Sequence, residues 1–145
     1  MALIDDLLDL ARVEAGHLTF ADEAFDVAEL LESSLELVRE SARRKNLELR
    51  IARADETPGF LHGDVRRLRQ ILVNLLTNAI KFTHAGSVTL RYSRDGSAPC
   101  AAAAGDQGAV LFSVEDTGIG IHRDKLEVIF ASFVQGDERD RKSVV

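Results

Sequence analysis

Asp64-Val-Arg-Arg-Leu-Arg-Gln-Ile-Leu-Val-Asn-Leu-Leu-Thr-Asn-Ala-Ile-Lys-Phe-Thr83 is the stretch whose reading decides the fold. Val65, Leu68, Ile71, Leu72, Leu75, Leu76, Ala79 and Ile80 recur at helical spacing, which predicts an amphipathic helix with a broad apolar face. Asp64, following Gly63, is suited to cap that helix by accepting an orphan backbone N–H. Two asparagines break the pattern. Asn is a poor helix former because its amide competes for backbone hydrogen bonds, yet Asn74 and Asn78 stand one turn apart on one stripe. Lys81 continues the stripe at the margin of the apolar face. Neutral oxygen donors beside a cation at the edge of a core suit a metal-bound polyphosphate. Two solvated asparagines and a surface lysine are the plainer account, and the helix alone leaves both open.

Further along, Val110–Val114 is a short apolar strand that runs into Glu115-Asp116-Thr117-Gly118-Ile119-Gly120-Ile121. Glycines two positions apart let a backbone approach a ligand or take positive φ without steric penalty. Asp116, at the strand end, offers a carboxylate acceptor able to read an exocyclic amino group. By itself Asp-x-Gly-x-Gly describes a tight turn as well as a site. After an Asn-x-x-x-Asn-Ala-x-Lys-Phe helix it points to a nucleotide.

The pair resembles the asparagine box and the first glycine box of sensor histidine kinases, within the wider ATPase superfamily that includes gyrase, Hsp90 and MutL. Ile129-Phe130-Ala131-Ser132-Phe133-Val134-Gln135 resembles the phenylalanine box that follows, and Leu3–Leu18 resembles the end of the second dimerisation helix. The likeness spans nearly the whole chain, with the motifs in the family's order.

Composition sets the outer bounds. A chain of 145 residues suffices for one domain with a core. Its 46% hydrophobic and 29% charged residues are an ordinary globular balance, and no apolar run reaches the length of a bilayer span. A net charge of −6 argues against nucleic acid as a partner. Cys100 is the single cysteine, so an internal disulfide and a cysteine metal site are excluded. A cytoplasmic setting fits, with any membrane attachment of a parent protein residing in other parts.

Leu3, Ile4, Leu7, Leu8, Leu10, Ala11 and Val13 predict a helix whose apolar stripe wants a bundle partner, with Gly16 at its end. Residues 18–25 read as an extended lead-in. Asp26 caps a helix running to about Lys45, with Glu29 completing a capping-box pattern. Val27, Leu30, Leu31, Leu35, Val38 and Ala42 form its buried face, and Asn46 suits a left-handed stop. Leu47–Ile51 and Phe60–His62 read as strands, and Ser87–Tyr92 alternates with Val88, Leu90 and Tyr92 on one face. Asp95–Ala109 reads as a long loop, Ala109–Glu115 as the antiparallel partner of Ser87–Tyr92, and Arg123–Phe130 as a short helix. The expected fold is an α/β two-layer sandwich: helices on one face of a mixed, largely antiparallel sheet, preceded by part of a dimerisation helix. Residues 1–17 are assigned to that helical hairpin, 18–139 to the nucleotide-binding domain, and 140–145 to an artefactual tail, so the chain is expected to be a fragment of a longer protein.

What the resemblance implies is an ATP- and Mg²⁺-binding domain that hands the γ-phosphate to a histidine on a dimerisation domain, for relay to the receiver domain of a response regulator. The intact protein is implied to be a homodimer through its dimerisation helices. Asn78 is implied to coordinate Mg²⁺ through its side-chain oxygen, with Asn74 assisting the metal or its waters. Lys81 is implied to pair with a phosphate and Phe82 to wall the pocket. Asp116 is implied to accept from the adenine amino group. Gly118 and Gly120 are implied to allow close backbone approach, with Ile121 packing near the base. Hydrolysing members of the superfamily carry a glutamate at the position of Asn74. A neutral amide cannot act as a general base, which opposes the alternative of a self-sufficient ATPase of the gyrase–Hsp90 type. A non-catalytic docking module with a degenerate pocket is the other alternative. His17, His62, His84 and His122 all lack the acidic neighbour expected after a phosphoacceptor, so no catalytic residue is assigned to this chain.

Overall fold

The computed structural model describes residues 20–54, 57–95 and 109–121. The Leu3–Leu18 helix, the connection 96–108 with Cys100, the Arg123–Phe130 helix, the phenylalanine box, His17, His122 and the residues after 139 lie outside the described residues.

The described elements run β1 (Glu23–Asp26), α1 (Val27–Arg44), β2 (Glu48–Arg53), β3 (Phe60–Gly63), α2 (Val65–Phe82), β4 (Ser87–Asp95) and β5 (Ala109–Asp116). Local sequence explains the ends of both helices. Asp26 Oδ1 accepts from the N–H groups of Ala28 and Glu29 at 2.7 and 3.3 Å, which fixes the start of α1. Asn46, at φ 54°, turns the chain out of it. Asp64 Oδ1 takes the Arg67 N–H at 3.0 Å and caps α2.

The sheet is mixed, as expected, but its ladder divides in two among the described residues. β1 pairs antiparallel with β3, while β2, β4 and β5 form a three-stranded sheet with β4 in the middle. β5 is antiparallel to β4, as the alternation suggested, with Tyr92 opposite Phe112 and Arg94 opposite Val110; this pairing carries β4 on to Asp95. β2 is parallel to β4, with Leu49 beside Val88 and Ile51 beside Leu90. The parallel partnership requires a long crossover, which β3 and α2 supply.

Both helices cover one face of this sheet. Val27, Leu30, Leu31, Leu35, Val38 and Ala42 of α1 meet Leu72, Leu76, Ala79 and Ile80 of α2 over Val88, Leu90 and Tyr92. The Tyr92 ring lies 4.9 Å from that of Phe112, and its buried hydroxyl donates to the Pro58 carbonyl at 3.0 Å. Burial pushes the Tyr92 hydroxyl pKa up. One part of the α2 expectation is corrected: Ile71 and Leu75 do not join the core. They are 55% and 44% exposed and share a stripe with the exposed Asn78 and Phe82. The apolar face is therefore wider than the surface that α1 and the sheet cover. No helix among the described residues is long and apolar enough to cross a membrane.

Asp64 also anchors the lead-in, its Oδ2 accepting from the Ala21 N–H at 3.2 Å. The Arg67 and Ala21 backbone donors hold its carboxyl pKa below the ordinary carboxylate value. A depressed folded pKa means that the unfolded chain binds the proton more readily. The contribution is present above the unfolded pKa and is lost as pH falls through the folded one. Melting temperatures followed from about pH 7 down to about pH 3 are expected to fall less steeply for Asp64→Asn than for the natural chain. Parallel curves would show that the cap carries no pH-dependent stability.

Candidate functional site

The candidate residues collect where the last turn of α2 meets the turn after β5. Asp116 ends β5 on the face that carries Val114 and Phe112, toward the helices, since alternate residues share a face. Its Oδ1 accepts from the Gly118 N–H at 2.8 Å, closing an Asx turn. Among the described residues no donor bonds Oδ2, and the side chain is exposed.

The two glycines do different work. A Cβ on Gly118 would lie 2.6 Å from the Phe82 carbonyl oxygen and 2.7 Å from Asp116 Oδ1, so that position is closed to a side chain by backbone. Gly120 has open space around it and instead adopts φ +67°, where an L side chain costs roughly 1–2 kcal/mol. The Ile119 N–H reaches the Phe82 carbonyl at 3.4 Å. The glycine turn is thus stacked directly on the C-terminus of the asparagine helix.

Asn74, Asn78 and Lys81 are exposed along α2. The Lys81 ammonium lies 5.2 Å from the Phe82 ring centroid, and Phe82 is itself half exposed. Ile119 and Ile121 of the glycine turn are exposed. The structure therefore brings Phe82, Asp116 and Gly118 together and lines Asn74, Asn78 and Lys81 along the adjoining helix face.

Two residues that the motifs did not single out hold this junction. Lys45, just past α1, donates to the carbonyls of Ile80 and Lys81 at 2.8 Å and of Thr83 at 3.3 Å. An ammonium among the last carbonyls of α2 satisfies acceptors that the helix leaves unpaired and complements its dipole. Thr117 ties the glycine turn to the Ala85–Ser87 turn, its hydroxyl 3.1 Å from both the Ser87 N–H and the Ala85 carbonyl. No local pattern announces Lys45, because its partners lie 35 or more residues away.

Exposed asparagines on one helix face, a carboxylate oxygen without a donor among the described residues and a backbone cradle with no room for a Cβ form a donor set that fits a nucleotide and a hard cation. Such an arrangement, on helices layered over a mixed sheet, defines a nucleotide-binding domain of the α/β sandwich class. Residues 63–144 match the family described as Histidine kinase-, DNA gyrase B-, and HSP90-like ATPase, and the chain belongs to that family. It is 39% identical over 137 residues to the sensor protein TorS of Escherichia coli K12, covering 93% of this chain and 14% of TorS. Similarity to the hybrid signal transduction histidine kinase B of Dictyostelium discoideum is 36% over 135 residues, 93% of this chain and 7% of that protein. Full-length ShkA, solved in complex with AMPPNP, superposes with a TM-score of 0.76 at 38% identity, covering 94% of this chain and 27% of that one. The chain thus spans a small part of each of these relatives. That part is the histidine kinase-type ATP-binding domain.

Proposed function

We propose that the chain binds Mg²⁺·ATP against the exposed face of α2 and the Asp116–Ile121 turn, and that it serves as the phosphoryl-donating half of a sensor histidine kinase. The observation that carries this reading is the packing of the glycine turn onto the end of the asparagine helix, with the Phe82 carbonyl 3.4 Å from the Ile119 nitrogen. Asn78 holds the metal through its amide oxygen, and Asn74 orders the metal or its waters. Magnesium keeps several waters, so one or two protein oxygens and the phosphates complete its shell. Lys81 pairs with a phosphate, while Phe82 and Ile121 flank the base. Asp116 accepts a hydrogen bond from the adenine amino group through Oδ2, and Gly118 and Gly120 let the backbone close on the nucleotide.

The acceptor in this reading is a histidine on a dimerisation helix of the intact homodimer, and the phosphoryl group passes on to a response-regulator receiver domain. The setting is cytoplasmic, and residues 18–139 are the nucleotide-binding unit. Asn74 supports a kinase over a self-sufficient ATPase, because its amide cannot deprotonate water.

Calorimetric titration is expected to show ATP binding that depends on Mg²⁺. With γ-labelled ATP, neither steady hydrolysis nor acid-labile label on this chain is expected, because phosphoryl transfer depends on a positioned acceptor. Binding that ignores Mg²⁺ would remove the metal assignment. Sustained hydrolysis would favour the ATPase, and stable labelling of His17, His62, His84 or His122 would make the chain its own substrate.

A further inference from the structure

Thr117 stands between Asp116 and Gly118, two residues of the proposed site. Its backbone N–H donates to the Ser87 carbonyl at 3.2 Å, and its hydroxyl accepts from the Ser87 N–H at 3.1 Å. One hydroxyl proton serves one acceptor. The Ala85 carbonyl at 3.1 Å is nearer than that of Ser87 at 3.4 Å. Gly86 completes the fit: it stands at φ +110°, and a Cβ there would lie 2.1 Å from the Thr117 oxygen. The hydroxyl fills the space that a side chain at Gly86 would need.

All of this occurs at an exposed residue, away from the core. Its hydroxyl adds no apolar packing; its bonds tie the turn after β5 to the Ala85–Ser87 turn. We propose that Thr117 is a positioning residue that sets base selectivity, holding the Asp116 carboxylate in register with the adenine amino group through its clasp on the Ala85–Ser87 turn. The proposal rests on the nucleotide reading above. A binding group must be held to within about 0.5 Å of its working geometry, so a loosened turn costs selectivity before it costs fold. Asn74, Asn78 and Lys81 stand on α2 and are not touched by the clasp, so contacts to metal and phosphate are unaffected.

The test uses the full 145-residue chain, with Thr117→Val, Thr117→Ser and Gly86→Ala. Val preserves the shape without the hydroxyl, Ser preserves the hydroxyl, and the Gly86 variant displaces the hydroxyl while leaving every proposed ligand contact in place. Mg²⁺·ATP and Mg²⁺·GTP are titrated by calorimetry, and amide exchange at Gly118 and Ile119 is followed without nucleotide. Thr117→Val and Gly86→Ala are expected to weaken ATP about tenfold, to weaken GTP clearly less, and to speed exchange at Gly118. Thr117→Ser is expected to stay within about twofold of the natural chain. Equal losses for ATP and GTP, or unchanged ATP affinity in the Val variant, would overturn the proposal and leave Thr117 a structural residue. Unchanged exchange at Gly118 would overturn the clasp regardless of ligand. Failure of the natural chain to bind either nucleotide would instead reject the nucleotide reading, a separate outcome.

Discussion

Asn78→Ala is expected to reduce Mg²⁺-dependent ATP binding by about 100-fold while leaving the melting temperature unchanged or slightly raised. Loss of groups that merely orient metal ligands already costs roughly 10–100-fold, so loss of a ligand sits at or beyond the top of that range. Stability should not suffer, because Asn78 is exposed on α2 and no hydrogen bond of its side chain supports the fold among the described residues. Ala is also the better helix former, by a few tenths of a kcal/mol. Asn74→Ala, one turn earlier, should cost less if it acts on the metal's waters. Calorimetry with and without Mg²⁺ checks both variants. Unchanged affinity in Asn78→Ala would return the asparagines to the plainer reading of two solvated amides.

Why the sequence disclosed so much of the fold, and not all of it, follows from the range of the forces involved. Helix ends are decided locally: Asp26 and Asp64 bond N–H groups two or three residues away, so spacing alone locates α1 and α2. Alternation along β4 is local too, and Val88, Leu90 and Tyr92 are fully buried as the pattern required. The parallel neighbour of β4 was not legible, because pairing across a crossover leaves no mark in either strand. Nor does a hydrophobic stripe say which of its residues will find cover. Ile71 and Leu75 satisfy the helical period as well as Leu72 and Leu76 do, and only the placement of α1 separates them.

The site divides along the same line. Asn74, Asn78, Asp116, Gly118 and Gly120 stood out because each is an unfavourable or special choice for its local structure, and Lys81 because it continues the asparagine stripe. Gly118 and Gly120 looked equivalent in sequence, yet one is required by a backbone 2.6 Å away and the other by its φ. Lys45 and Thr117 left no such trace. A lysine after a helix and a threonine in a turn are ordinary residues, and their importance lies in carbonyls brought to them by the fold.

Asp116→Asn is expected to weaken ATP binding roughly ten- to a hundredfold, with GTP affected less and the fold retained. The structure makes this substitution sharper than sequence alone could. Asp116 Oδ1 is committed to the Gly118 N–H at 2.8 Å, and an asparagine oxygen can keep that bond. The new amide group then takes the place of Oδ2, setting donor against donor at the adenine amino group. A buried group left unpaired in the complex costs about 1–3 kcal/mol, which is the stated factor in affinity. GTP presents a carbonyl at that place and meets the new donor without conflict. Asp116→Ala is the control, since it removes the Asx turn together with the base contact, and should weaken both nucleotides and accelerate exchange at Gly118. If Asp116→Asn lowers ATP and GTP affinity equally, or if it behaves as the alanine variant does, then the carboxylate serves the turn alone and base recognition must reside in Phe82, Ile121 or the backbone around Gly118.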